Sequence, residues 1–190
     1  MNRLFLILIL TFFFQSWTEA DDISDFEIEG MSIGDSALEY FSDKVLNKNI
    51  ISDYKNDKYV TSSINLGSDK EYEVVQLSYL KKDKKKTIVD INGIVDLDYT
   101  KCIERIKNLE KDFDNMFIDV KKLPMETFEH TIDKSGKSKI TDIVWQFNNG
   151  DVAILACYNW NPDYEIGYPD EFRVAIGTKD FDYFLKYQAY

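Results

Sequence analysis

Histidine and cysteine are nearly absent from this chain. Its 190 residues include one histidine, His130, and two cysteines, Cys102 and Cys157. A Ser-His-Asp or Cys-His catalytic group would have to be built on His130, and a lone histidine in a strand pattern is far more often structural. Zinc sites draw most of their ligands from Cys and His, which are too few here to form one readily. A glycine-rich phosphate loop and a dinucleotide fingerprint are both missing; Ser135-Gly136-Lys137 is too short and isolated to stand for either. No metal or cofactor is therefore expected. Basic charge is also short: 23 Lys and Arg face 34 Asp and Glu, for a net charge of −11. Nucleic acids and anionic membrane surfaces call for basic patches, so neither is an expected partner. The one basic run, Lys81-Lys82-Asp83-Lys84-Lys85-Lys86, has no interleaved aromatics and reads as a solvated hairpin tip. Only 3 prolines and 8 glycines argue for regular structure over a disordered chain.

Long apolar runs are confined to the N-terminus. Arg3 is followed by the apolar stretch Leu4 to Phe14, and Gln15-Ser16-Trp17-Thr18-Glu19-Ala20 then turns polar and ends on a small residue. This is the layout of a secretory signal peptide over residues 1–20, cleaved after Ala20. The run falls short of the roughly 20 residues that span a bilayer. Residues 21–190 are expected to form one exported α+β domain, periplasmic or secreted, without stable membrane insertion after cleavage. An oxidising compartment lets two thiols pair, so a Cys102–Cys157 disulfide is expected.

What is abundant is periodicity. From Thr100 to Met116, apolar residues at Cys102, Ile103, Ile106, Leu109, Phe113 and Met116 follow steps of three and four, the stripe of a core helix. An earlier helix is expected after Ser32, with Asp35 in capping-box spacing and Ile33, Ala37, Leu38, Phe41 and Val45 buried. Period-two patterns mark strands between Lys58 and Asp96, with Asn92-Gly93 read as a glycine bulge in the third. Further strands are expected at Glu126 to Ile132, Ile140 to Phe147, Val152 to Tyr158 and Phe172 to Ile176. Asn149-Gly150 suits a type I′ turn between the middle two. A last helix, Phe181 to Tyr187, would bury Phe181, Phe184 and Leu185. The order helix, three strands, helix, four strands, helix favours a curved, mostly antiparallel sheet with helices packed on one face. Its two similar halves hint at duplication.

Three readings of function remain open. The chain is a non-catalytic exported domain that binds a protein or small ligand, a carboxylate-based hydrolase of glycans or cell wall, or a structural accessory of the cell envelope. The first accounts for most of these observations. The candidate binding surface is the loop after Cys157, carrying Trp160, Asp163, Tyr164 and Tyr168. Tyr and Trp give large contact area at low entropy cost. Asn159, Asn161, Asp163 and Glu165 alternate like the start of a calcium loop, but Pro162 interrupts them and no glycine follows Asp163. The same rings could instead fold back over the edge of the sheet, since edges need cover.

Overall fold

A computed structural model describes residues 22–52, 54–164 and 167–190. The expected signal peptide lies outside the described residues, as do Glu165 and Ile166. A short helix α1, Asp43–Lys48, precedes three strands, β1 Tyr59–Asn65, β2 Val74–Leu80 and β3 Ile88–Asp96. The long helix α2, Tyr99–Met116, follows. Then come β4 Lys121–Lys122, β5 Glu126–Glu129, β6 Lys139–Gln146, β7 Val152–Asn159, β8 Glu171–Gly177 and helix α3, Lys179–Tyr187. The strands form one 8-stranded sheet in the order β1-β2-β3-β8-β7-β6-β4, with β5 also on β6. Its pairings are antiparallel, so the fold is α+β with β3 and β8 joining two meanders.

Alternation along the strands separates two faces. Val75, Leu77, Ile91, Leu155, Cys157, Phe172, Val174 and Ile176 point to one of them and are buried. That face receives α2, whose Asp98 cap accepts from the Lys101 N–H at 3.1 Å. The predicted stripe is the one used: Cys102, Ile106 and Phe113 are buried, with Ile103, Leu109 and Met116 beside them. Phe113 meets Trp145 at 5.1 Å between centroids, and Phe117 meets Phe147 at 5.0 Å. The Trp145 N–H is not wasted by this burial, because it donates to Asp114 at 3.0 Å. Helix α1 adds Leu46 to the same core. Helix α3 covers part of the reverse face, where Phe181 and Phe184 pack on Tyr59 and Val89. Helices α1 and α2 thus share one face of the sheet and α3 takes the other.

Several local expectations are corrected. No helix starts at Ser32. Asp35 does accept from the Ser32 N–H at 2.9 Å, as in a capping box. The backbone beyond is instead drawn onto the start of β3, through Gly34 N–H to Ile88 O at 2.9 Å and Ala37 N–H to Lys86 O at 3.1 Å. Only a 3-10 turn at Ala37–Glu39 and α1 remain helical, with Leu38 and Val45 exposed. The hairpin between β6 and β7 forms, but Gly150 N–H bonds to Phe147 O at 2.9 Å and only Gly150 has positive φ, 92°. Asn148-Asn149 is thus the turn centre, followed by a left-handed glycine, rather than type I′ at Asn149-Gly150. The strand expected to reach Ile132 ends at Glu129, because the chain turns at His130 to Ser138. Leu185 is exposed, since α3 turns only Phe181 and Phe184 to the sheet.

Gly93 is not a bulge either. It pairs in register with Val75 and Val174, and the irregularity lies at Ser78/Tyr79. Glycine is needed because the Tyr72 ring lies flat on the strand: a Cβ here would sit 2.6 Å from Tyr72 Cδ1 and Cγ, and 3.0 Å from Ile28 Cγ2. Gly93→Ala is expected to lose about 1–3 kcal/mol of stability through this overpacking. Urea unfolding measures it, and an unchanged midpoint would contradict the close approach.

Candidate functional site

The aromatic loop begins on the best anchored strand of the sheet. Cys157 of β7 and Cys102 in the first turn of α2 are paired, with Cα atoms 5.8 Å apart and both side chains fully buried. Just beyond, the Trp160 N–H donates to Asp170 Oδ1 at 2.8 Å, and Leu97 N–H reaches Asp170 O at 3.0 Å. The Asn161 N–H donates to Ser138 Oγ at 3.0 Å. Ser138 is itself fixed by donating its N–H and hydroxyl to Asp133 Oδ2, at 3.0 and 2.7 Å. Hydrogen bonds from Ser135 and Ser138 hold the Asp133 carboxyl well below the usual carboxylate range. Two separate turns thus clamp the first residues of the loop.

Within that frame the rings form two layers. Trp160 is only 9% exposed. It packs on His130 at 4.4 Å and Tyr158 at 6.2 Å below, and on Tyr168 at 4.7 Å and Tyr164 at 5.9 Å. Tyr168 is 44% exposed and lies 6.4 Å from Tyr164. The Tyr164 hydroxyl donates to Ile132 O at 3.4 Å. The structure therefore brings Trp160, Tyr164 and Tyr168 together. Asp163 points away to a solvated ion pair with Lys137 at 3.7 Å. Trp160 Nε1 is buried and has no hydrogen-bond partner among the described residues. Leaving such a donor unpaired costs about 1–3 kcal/mol. His130 is a supporting ring: its Nδ1 accepts from the Ile132 N–H at 3.2 Å, and burial followed by the nearby Arg173 lowers its pKa.

A second group of withdrawn polar side chains escaped the sequence pattern. On the reverse face Arg173 lies over the Tyr158 ring at 4.4 Å and donates through Nε to Glu171 at 2.6 Å. Asp90 accepts from Ser78 at 3.2 Å and from Asn92 at 2.8 Å, and Ser78 continues through Thr61 to the Tyr54 hydroxyl, each step 2.8 Å. Burial pushes the Asp90 carboxyl up to about 7 against those hydrogen bonds, with Arg173 opposing the rise and Asp182 adding to it. Asp142 rises to about 6 through burial and the Glu126 carboxylate directly opposite, with Lys186 opposing. No regular signal in the sequence marks them: Glu171 and Arg173 alternate in β8, but Asp142 stands between Ile140 and Val144 and Asp90 is followed by Asn92 and Ile94 at alternate positions.

Among the described residues no group of three or more His, Cys, Asp or Glu side chains could hold a metal ion, and no helix is long and apolar enough to cross a membrane. No protein family, curated protein or solved structure matches the chain.

Asp90 generates a pH prediction. Its folded-state pKa lies above the unfolded value of 3.8, so its contribution to stability is full below that value and is lost as pH rises through about 7. Asp90→Asn mimics the neutral acid. The variant is expected to gain on the wild type between about pH 4 and pH 7. The gap widens by about 1.4 kcal/mol for every tenfold fall in proton concentration. Parallel stability profiles for the two proteins would contradict the assignment.

Proposed function

We propose that this chain is an exported, disulfide-stapled binding domain without catalysis, which takes its ligand at the aromatic loop after β7. The observation that carries the reading is the buried Trp160 N–H, which lacks an acceptor among the described residues at the centre of three loop rings. Packing alone gives no reason for an indole here, since a phenyl ring would fill much of the space without stranding a donor. The loop starts from a crosslinked strand, so its first residues are held rigidly, as recognition loops on a scaffold require.

The hydrolase alternative gains less from the geometry. Asp90 and Asp142 both have raised pKa values on the same face. Strands β8 and β7 lie between β3 and β6, and the register sets Asp90 level with Gln146, four residues along β6 from Asp142. That separates the two acids by about 20 Å at ordinary strand spacing and rise. A glycosidase pair stands about 5–9.5 Å apart. Asp142 and Glu126 are neighbours, but they project side by side from one face. A catalytic pair approaches the scissile bond from both sides.

The test uses protein expressed from its natural start. Wild-type protein is expected outside the cytoplasm, beginning at Asp21 and retained on isolated envelope material. A Tyr164→Ala variant is expected to be exported and folded but no longer retained. Equal retention of both proteins contradicts the site. A loss of several kcal/mol of stability without loss of retention makes the rings a lid on the sheet.

A further inference from the structure

We infer that the ligand of this aromatic site is a neutral sugar residue of a glycan, which replaces the Tyr168 ring over the indole and accepts a hydrogen bond from Trp160 Nε1. The inference rests on the binding reading above and adds the chemical class of the ligand. The donor itself sets the first requirement. An indole N–H needs an acceptor, which an alkylammonium group or an aliphatic chain cannot offer. The charges near the loop set the second. Lys137 is paired with Asp163, Arg173 with Glu171, and Asp133 is tied to Ser135 and Ser138. His130 is kept towards its neutral form by burial and Arg173. These side chains spend their charge on one another, the Lys134 ammonium of the neighbouring turn is bonded to Thr131 O at 2.8 Å, and the chain as a whole, at −11, repels an anionic ligand.

The rings set the third requirement. Trp160 and Tyr164 are nearly parallel, at 19°, with Tyr164 and Tyr168 at 26°, while Tyr168 is tilted by 41° against the indole. Flat, amphipathic faces suit a ligand that is flat, carries C–H groups on its faces and bears hydroxyls at its rim. A pyranose meets all three conditions at once: acceptor oxygens, no charge and an apolar face. The Asn161 side-chain NH2 group lies next along the chain. Its hydrogen bond to Ser135 is long, at 3.5 Å, and can be exchanged for one to a sugar hydroxyl. Tyr168 is the ring to move, since it lies 4.7 Å from the indole and is 44% exposed. Exposed side chains of this kind reorient on the nanosecond scale.

The experiment follows the indole N–H signals of the mature protein by NMR. Trp145 and Trp160 are the tryptophans beyond residue 20, and Trp145, bonded to Asp114, serves as the internal reference. The probes are β-1,4-linked hexaoses of glucose, N-acetylglucosamine and mannose, with hexalysine and hexaglutamate as charged controls. At least one sugar is expected to move the Trp160 signal downfield and saturably, leaving Trp145 unmoved. Trp160→Phe lacks that signal and is titrated by calorimetry beside the wild type; it is expected to bind that sugar about tenfold more weakly, the scale of one buried hydrogen bond, while keeping the melting temperature. Should Trp160→Phe fail to fold, Tyr168→Ala replaces it, with the same signal read directly: removing the ring that the sugar displaces is expected to raise the sugar affinity several-fold, and an unchanged or weakened affinity overturns the displacement. If none of the sugars moves the indole, or if hexalysine or hexaglutamate moves it instead, the sugar assignment is overturned. An affinity within about twofold of wild type for Trp160→Phe also overturns the role of the N–H. Retention on envelope material that depends on Tyr164, without any sugar response, leaves the binding reading standing and rejects only this ligand class.

Discussion

The contact between the start of α2 and the end of β7 is the constraint on which the rest depends. Cys102 and Cys157 are separated by 55 residues in sequence and are both fully buried. A crosslink closing a loop of that length is worth about 4 kcal/mol in the chain-entropy picture. It lies where the apolar stripe of α2 meets the buried face of the sheet, so covalent and hydrophobic terms act on the same pair of elements. The segment immediately after β7 inherits that rigidity. Trp160 and Asn161 then gain a hydrogen bond each from turns on either side. The loop is therefore fixed at its root while Asp163 and Tyr168 remain at the surface.

The reverse face obeys a different balance. An antiparallel sheet can leave one face wet, and here α3 covers only the region over Tyr59 and Val89. The remainder holds Arg173, Glu171, Asp90 and Asp142, each partly or wholly withdrawn from water. Arg173 is matched by Glu171 and by the Tyr158 ring. Tyr158 in turn packs on His130 and Trp160. The charged face and the aromatic loop thus share a wall: the arginine that stacks on Tyr158 also bears electrostatically on His130.

Helix α2 and every strand but the two-residue β4 were legible in the sequence because their burial is periodic and each period is local. Cys102, Ile106 and Phe113 need nothing beyond the helix itself to declare their side. The failures share a cause. The Ser32 segment has a local helix signal, but its N–H groups are taken by Lys86 and Ile88, far away in sequence. Gly93 resembles a bulge until Tyr72 is placed over it. Asn148-Asn149-Gly150 fits two hairpin turns, and the register of β6 with β7 selects one. Of the site, the clustering of Trp160, Tyr164 and Tyr168 could be anticipated from composition. The unpaired indole and the role of His130 beneath it depend on contacts between separate strands, as does the burial of Asp90 and Arg173.

The most direct measurement is amide hydrogen exchange of the native protein with the cysteines oxidised and after their reduction. Exchange reports local opening free energies residue by residue. The account predicts strong protection at Cys157 and at Trp160, whose N–H is bound by Asp170, and a marked loss there on reduction, with β1 and β2 little changed. Unaltered protection at Trp160 after reduction, or poor protection in the oxidised protein, would contradict the claim that the crosslink sets the root of the binding loop.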